Sequence, residues 1–171
     1  MKDTPVITAA KMMAGEAHKG QTRKYSGLPY IVHPIEVATI VSDIGGTDEM
    51  IAAALLHDVV EDCPGYTIEM IAEKVDPTVA DYVRGLTDVS KPEDGNRKTR
   101  KAIDRDRLIA EGPEVQTIKY ADIISNTQDI FANDPNFAKV YIEEMKLLLA
   151  DMNKGDPGLY AKAKEIIDQL G

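Results

Sequence analysis

Cysteine and tryptophan are scarce in this chain of 171 residues, which contains one cysteine, Cys63, and no tryptophan. A single thiol cannot form an internal disulfide, and it cannot supply a cysteine cluster for a metal. A chain that folds without disulfides suits a reducing compartment, so we expect a cytoplasmic protein. Its size and its share of hydrophobic residues, 43%, are enough for a globular fold with its own core.

Long apolar runs and an excess of positive charge are also missing. No run approaches the roughly 20 apolar residues that cross a bilayer, and the N-terminus lacks the apolar core of a secretion signal. The net charge of −9 argues against general binding of nucleic acid, which needs a basic surface. We therefore expect neither a membrane nor a nucleic acid as partner. A small anionic substrate, held by a local basic pocket or a metal, stays compatible with this charge.

Strand-like alternation of polar and apolar residues extends over no useful length, and apolar residues recur instead at helical spacing. The sequence thus predicts an all-α fold, with one domain over residues 1–171 and a core at about 7–152. Helices are predicted at residues 7–19, 35–43, 47–62, a short stretch from 67, 77–86, 97–111, 113–132, 135–152 and 158–170. The connection at residues 89–96 contains proline and glycine and is the best candidate for a hinge.

Four ionisable residues follow an apolar run near the end of the third predicted helix: His57, Asp58, Glu61 and Asp62. On a regular helix each residue turns by about 100°, so the four would share one broad face. Such groups would repel one another or stay unsatisfied in a core. A divalent cation resolves that conflict because it binds imidazole and carboxylate together. The alternative is a helix end with three carboxylates in water, and these residues alone leave both interpretations open.

Two further segments contain side chains of the same kind. His33 precedes Pro34 at the start of a predicted helix, and the loop before it contains two cations and a hydroxyl. Asp122 and Asn126 are four residues apart and therefore lie on one helix face. The alternatives are a helix-capping role for His33 and an ordinary surface pair for Asp122 and Asn126.

A basic segment at residues 96–107 contains six cations and two anions in an otherwise acidic chain. A local positive field of this kind attracts a polyphosphate. The better candidates for phosphate contacts are Lys98, Arg100 and Lys101. The alternative is a solvated basic face that pairs with acids elsewhere.

The order His-Pro, then Ala-Leu-Leu-His-Asp-x-x-Glu-Asp, then Lys-x-Ala-Asp-x-x-x-Asn resembles the hydrolase domain of the RelA/SpoT homologue family. The likeness is greatest to its stand-alone members, the small alarmone hydrolases, and to the related animal enzymes of the Mesh type. It extends over about residues 7–152. The resemblance implies an all-α HD domain that removes the 3′-pyrophosphate of guanosine tetra- and pentaphosphate (ppGpp and pppGpp), the alarmones of the stringent response. The long members of that family carry a synthetase domain after the hydrolase domain, whereas this sequence ends at Gly171, so we expect degradation without alarmone synthesis.

The resemblance further implies the roles of individual residues. One divalent ion, usually Mn²⁺, would be bound by His33, His57, Asp58 and Asp122, although the same donors also suit Zn²⁺ or Fe²⁺. Glu61 and Asp62 correspond to the catalytic acidic pair, with a solvated or ligand-orienting pair as the alternative. The implied nucleotide contacts are Arg23, Lys24, Ser26, Asn126 and Tyr141, besides the cations of the basic segment. For Tyr141, simple helix packing is the alternative.

Two positions depart from the family pattern. Tyr25 shifts the register of the basic loop by one residue, and Gln128 replaces an arginine that many relatives have. Two other functions stay open for this sequence. One is a phosphatase on another nucleotide, such as the 2′-phosphate of NADPH. The other is a nucleotide-binding regulatory module without turnover, against which the intact His-Asp and Glu-Asp pairs argue. A homodimer is compatible with the sequence.

Overall fold

The computed structural model describes residues 1–171, which form ten α-helices and one 3₁₀ turn. The only extended pairing is an isolated antiparallel bridge between Thr22 and Pro29. The predicted all-α fold class is therefore confirmed. The chain divides into two compact units, Met1–Thr87 and Asp88–Gly171. The extent of a single domain over residues 1–171 stays a prediction.

The helices lie close to their predicted positions. Those of the first unit are α1 (Pro5–Ala17), α2 (Val32–Asp43), α3 (Asp48–Leu56), α4 (Val59–Asp62), α5 (Ile68–Lys74) and α6 (Pro77–Leu86). Those of the second unit are α7 (Arg97–Ala110), α8 (Pro113–Asn133), α9 (Pro135–Asp151) and α10 (Pro157–Leu170). The 3₁₀ turn comprises Pro92–Asp94. None of the helices is both long and apolar enough to cross a membrane.

The side chains expected at helix starts cap the helices. The hydroxyl of Thr47 accepts a hydrogen bond of 3.2 Å from the backbone N–H of Met50, and Thr67 caps α5 in the same way. Asp76 accepts bonds from the N–H groups of Thr78 and Val79. These bonds satisfy N–H groups that have no partner within the helix, so the helix starts follow from local sequence.

Helix α3 is the centre of the first unit. Its residues from Met50 to Leu56 are all buried, and it packs against α1, α2 and α6. Three consecutive alanines, Ala52 to Ala54, keep the helix narrow, so neighbours can approach it from several sides. This packing places the C-terminal end of α3, and hence His57, in the interior of the unit.

The predicted continuous helix over residues 47–62 is wrong at His57 and Asp58. Helix α3 ends at Leu56, and the four-residue helix α4 begins at Val59. The Nδ1 atom of His57 lies 2.6 Å from the carbonyl oxygen of Ala54. The side chain thus bonds to a carbonyl at the end of α3 to which a backbone N–H would donate in a continuous helix. Side-chain bonds of this kind compete with the backbone ladder. The acidic pair therefore lies on a separate turn, and the helical angles expected for the four residues do not apply.

Helix α8 is the centre of the second unit and packs against α7, α9 and α10. The hydroxyl of Tyr120 donates a bond of 2.6 Å to the carbonyl of Met152. A side chain at Gly155 would come within 2.5 Å of the Tyr120 ring, so this position requires glycine. These contacts hold the segment between α9 and α10 against α8.

The start of the predicted hinge is held by Asp104 of α7. Its Oδ1 accepts bonds of 2.9 Å from the N–H groups of Val89 and Ser90, and its Oδ2 accepts one of 2.6 Å from the Ser90 hydroxyl. A buried carboxylate with three donors is a well-satisfied anchor. This part of residues 89–96 is therefore tied to the second unit, and the boundary between the two units lies just before it, between Thr87 and Asp88.

Candidate metal centre and catalytic site

Three predicted ligands, His33, His57 and Asp58, converge in the first unit. Their ligand atoms all lie within 4.8 Å of one another. Oδ2 of Asp58 is 3.1 Å from Nε2 of His57 and 3.7 Å from Nε2 of His33. Both imidazoles are buried, whereas the Asp58 carboxylate is partly exposed. Helix α2 and the break between α3 and α4 together position this triad of possible ligands.

The hydrogen bond of His57 assigns its tautomer. The carbonyl oxygen of Ala54 can only accept, so Nδ1 of His57 must donate. In the neutral ring, Nε2 then presents a lone pair toward Oδ2 of Asp58. A lone pair and a carboxylate oxygen repel each other unless a cation lies near both. The donor set of two imidazole nitrogens and one carboxylate oxygen therefore fits a divalent metal ion, and the Ala54 bond orients a ligand as such sites require.

Tyr30 belongs to this cluster and was not predicted. Its hydroxyl donates a hydrogen bond of 2.6 Å to Oδ2 of Asp58. Its ring packs edge-on near His33, with a centroid distance of 6.1 Å. The spacing of three residues between Tyr30 and His33, at the start of a helix, is the sequence signal that could have identified it. Tyr30 limits the positions that the Asp58 carboxylate can adopt.

The acidic pair lies on the single turn of α4, and both residues, Glu61 and Asp62, are exposed. Although Asp62 is exposed as a whole residue, its carboxyl is partly desolvated, which raises its pKa above the ordinary value, and the nearby charge of Asp58 raises it further. His18 acts in the opposite direction. The protonation of Asp62 is therefore coupled to the charge of Asp58 in the triad. The catalytic role of both residues stays a prediction.

The basic loop is ordered by its own hydrogen bonds. The N–H of Arg23 donates to the carbonyl of Leu28 at 2.7 Å, and the Ser26 hydroxyl accepts from the N–H of Leu28 at 3.2 Å. Lys24 is exposed and lies over the ring of Tyr25, with its ammonium 5.3 Å from the centroid. The contacts of Arg23, Lys24 and Ser26 with a nucleotide stay predictions.

In the second unit, Asp122 is buried and is held by two neighbours on α8. The ammonium of Lys119 donates to its Oδ2 at 2.8 Å, and the amide of Asn126 donates to its Oδ1 at 3.0 Å. The predicted shared face of Asp122 and Asn126 is confirmed. Burial raises the pKa of Tyr141, and the charge of Asp122 raises it further, so this hydroxyl lies near the same carboxylate. The second unit thus brings the predicted site residues Asp122, Asn126 and Tyr141 together. It adds Lys119, which was not predicted.

The basic segment divides into cations with different surroundings. Arg97 forms two bonds of 2.9 Å with Glu144, and so it is engaged in an ion pair. Lys98 is exposed, and Arg100 is half-buried. Lys101 lines a cavity of the second unit, together with Lys119 and with Asp88, Asp104, Arg105 and Glu144. Lys101 is therefore a predicted phosphate contact that reaches a concave surface.

Residues 10–146 match the family model described as "HD domain". The chain belongs to the HD domain family. The matched range includes residues of both compact units. It also includes His33, the His57-Asp58 pair and Asp122, so the four predicted ligands all lie within the HD domain.

Relatives of this HD domain have names related to guanosine polyphosphates. The chain is 35% identical over 150 residues, 86% of its length, to a probable guanosine-3′,5′-bis(diphosphate) 3′-pyrophosphohydrolase of Synechocystis. It is 35% identical over 133 residues to the bifunctional (p)ppGpp synthase/hydrolase SpoT of Escherichia coli. These two matches cover only 20% and 19% of the relatives' own lengths. The predicted resemblance to RelA/SpoT-type hydrolase domains is confirmed.

A solved structure matches this HD domain along its whole length. It belongs to a metazoan ortholog of SpoT that hydrolyses ppGpp. The TM-score is 0.87 at 27% identity, and the match covers 100% of this chain and 98% of that chain. A protein of Listeria monocytogenes, with a TM-score of 0.66 at 19% identity, shares the fold.

Proposed function

We propose that this HD domain is a metal-dependent hydrolase that removes the 3′-pyrophosphate of ppGpp and pppGpp to give GDP and GTP. The observation that carries the proposal is the convergence of His33, His57 and Asp58 within 4.8 Å, directly before an acidic pair. The chain matches the metazoan ortholog of SpoT over its full length, and that protein hydrolyses ppGpp. The name of the Synechocystis relative supports the same reaction.

The proposed cofactor is one divalent ion, with Mn²⁺ as the expected metal. His33, His57 and Asp58 would hold it, and Asp122 is proposed as a fourth ligand on the strength of the family resemblance. An ion at such donors activates water and polarises a phosphoryl oxygen. The Ala54 carbonyl and the Tyr30 hydroxyl keep His57 and Asp58 in a binding orientation.

In the proposed reaction, water attacks the phosphorus that is bonded to the ribose 3′-oxygen. A new P–O bond forms to the water oxygen, and the bond between phosphorus and the 3′-oxygen breaks. Glu61 or Asp62 accepts a proton from the attacking water. The 3′-oxygen takes up one proton, either from that protonated carboxyl or from solvent water, and leaves as a hydroxyl. Burial and Asp58 raise the pKa of Asp62, which makes its carboxylate a better proton acceptor than an ordinary aspartate.

Recognition of the nucleotide is proposed to depend on local cations, because the net charge of −9 repels a polyphosphate. We assign contacts with phosphate to Lys98, Arg100 and Lys101. We assign contacts with the base, ribose or phosphates to Arg23, Lys24, Ser26, Asn126 and Tyr141. The single thiol and the acidic surface also favour a cytoplasmic enzyme that acts on a small guanine nucleotide without a nucleic-acid partner.

The test is hydrolysis by purified protein that has been stripped with chelator and reloaded with Mn²⁺. Separate reactions contain ppGpp, pppGpp or NADPH, and products are identified by mass. The expected result is pyrophosphate with GDP or GTP, none of it after stripping or with Asp58→Asn. Asp43→Asn, an exposed aspartate at the end of α2, is the matched control and should remain active. Release of phosphate from NADPH alone, or no turnover of any substrate, would refute the proposal.

A further inference from the structure

We propose that His18 is a positioning residue for Asp62 and acts through the side chain of Gln21. This inference rests on the proposed hydrolase function. His18 lies at the C-terminal end of α1 and is outside the predicted site residues. It is only 3% exposed.

The short helix α4 needs support from outside itself. It comprises the four residues Val59–Asp62. A single helical turn is unstable in isolation, because nucleation restricts several residues for one hydrogen bond. Its carboxylates can therefore keep a defined orientation only if neighbouring segments hold the turn.

Gln21 supplies one such contact. Its amide nitrogen donates to the backbone carbonyl of Asp62 at 3.2 Å and lies 3.6 Å from the sulfur of Cys63. Its amide oxygen lies 2.8 Å from Nδ1 of His18. Because the amide nitrogen donates to a carbonyl, the oxygen must be the atom that faces His18, and His18 Nδ1 must donate to it. The two bonds join α1 to the last residue of α4.

Two neighbours hold the ring of His18 in place. The ring centroid is 4.8 Å from that of Tyr30, and Nδ1 is 3.4 Å from the sulfur of Cys63. Tyr30 in turn donates to Asp58. His18 thus contacts Gln21 and Tyr30, the two side chains of the loop before α2 that bond to Asp62 and Asp58, respectively.

Packing alone does not account for a histidine at this position. Its Nε2 atom is buried and has no hydrogen-bond partner in the protein. A buried polar atom without a partner is unfavourable, so an apolar side chain of similar size would be the better choice for packing. The hydrogen bond from Nδ1 to Gln21 is what an apolar residue cannot replace. We therefore assign the role of His18 to that atom.

Three substitutions separate the packing of the His18 ring from its hydrogen bond to Gln21. His18→Phe keeps a ring beside Tyr30 and removes the donor, whereas His18→Asn keeps an amide donor near the position of Nδ1. Gln21→Met removes the connection to Asp62. We expect kcat on ppGpp to fall at least tenfold in His18→Phe and Gln21→Met, with KM and Mn²⁺ affinity within about threefold of wild type. His18→Asn should keep most of the activity.

The single cysteine offers a readout that is independent of turnover. Cys63 follows Asp62 and is 3% exposed, so its reaction with a thiol reagent reports local opening of this turn. Under native conditions we expect labelling to accelerate about fivefold in His18→Phe and Gln21→Met, as for the loss of one hydrogen bond. The matched control is Gln169→Met, because Gln169 is an exposed glutamine of α10 whose amide donates to Glu165 on the same helix. It should leave both kcat and labelling unchanged.

The outcomes distinguish this inference from the proposed function. Wild-type kcat and labelling in His18→Phe would overturn the inference, and so would equal losses in His18→Phe and His18→Asn. If the wild-type protein fails to hydrolyse any guanosine polyphosphate, the proposed function fails, and the labelling rates still test whether His18 holds α4. If His18→Phe does not fold, Gln21→Met and His18→Asn decide the question by the same two measurements.

Discussion

The ammonium of Lys119 donates a hydrogen bond of 2.8 Å to Oδ2 of Asp122, one turn further along α8. The Lys119 side chain is 24% exposed and that of Asp122 is 8% exposed. Burial alone would lower the pKa of Lys119, but Asp122 and other neighbours outweigh it and raise that pKa. A charged lysine therefore holds a buried carboxylate that is proposed to bind metal, and it orients the oxygen atoms of that carboxylate.

Replacing Lys119 with methionine should destabilise the protein, because Asp122 would lose its ion pair while staying buried. We expect a loss of about 2–3 kcal/mol in the free energy of unfolding, measured by urea denaturation. Lys139→Met, at an exposed position on α9, should change it by less than about 0.5 kcal/mol. Equal effects of the two substitutions would contradict the importance of the pair.

Metal binding should stabilise the folded protein through the triad in the first unit. At a Mn²⁺ concentration about 100-fold above Kd, the gain is about 2.7 kcal/mol, or a rise of roughly 5–10 °C in Tm for a protein of this size. Thermal unfolding of stripped protein with and without Mn²⁺ measures this shift. His57→Ala and His33→Ala should abolish the shift, whereas Asp151→Asn, at an exposed position, should retain it. An unchanged shift in both histidine variants would exclude these ligands.

Tyr30→Phe should weaken metal binding without removing a ligand. The hydroxyl of Tyr30 orients Asp58, and loss of a group that supports a metal ligand typically lowers affinity about 10- to 100-fold. Competition with a chelator gives the affinity for Mn²⁺. Tyr160→Phe is the matched control, since its hydroxyl donates at 2.7 Å to the carbonyl of Leu149 in the second unit. If both variants bind Mn²⁺ as the wild type does, the Tyr30 bond has no part in the site.

Asp88 should make stability depend on pH. Asp88 is an exposed residue, but its carboxyl lines the cavity of the second unit and is partly desolvated there, which raises its pKa above the ordinary value of 3.8. Lys119 and Lys101 lower this pKa, whereas Asp104 and Asp122 raise it further. A carboxyl with a raised pKa stabilises the folded state when it is protonated. Its contribution to the free energy of unfolding is therefore lost as the pH rises from about 3.8 through the folded-state pKa. Asp88→Asn stays neutral, and its stability relative to wild type should therefore increase over this range.

Urea unfolding at several pH values between about 4 and 7 measures the trend predicted from linkage. Asp106→Asn, an exposed aspartate of α7, separates the effect from the loss of a surface charge. A stability difference between Asp88→Asn and wild type that is constant, or that falls as the pH rises, would contradict the prediction.

Local sequence was sufficient for most of the fold. Helix α6 begins at Pro77 and ends at Leu86, as its proline and apolar spacing predict, and the other main helices end within a few residues of expectation. The same holds for the contact between Asp122 and Asn126, because two residues four apart on a helix are neighbours by geometry. These features depend on interactions within one turn.

The break at His57 and Asp58 could not be predicted from periodicity. The apolar spacing continues through it, and the ring of His57 interrupts the ladder only when it turns back to Ala54. The orientation of Glu61 and Asp62 changed with that break, since they lie on a separate turn that depends on its neighbours.

The sequence by itself determined which residue types were available for chemistry: two candidate ligand histidines, one of them in a His-Asp pair, and an acidic pair that follows it closely. Only the tertiary structure decided how they are held. Tyr30 bonds Asp58 across 28 positions of the chain, and Gln21 bonds Asp62 across 41. Such contacts have no periodic signature, because the packing of α1, α2 and α3 brings their segments together. The bonds that Tyr30, Gln21 and His18 make to distant segments therefore emerged from the structure alone.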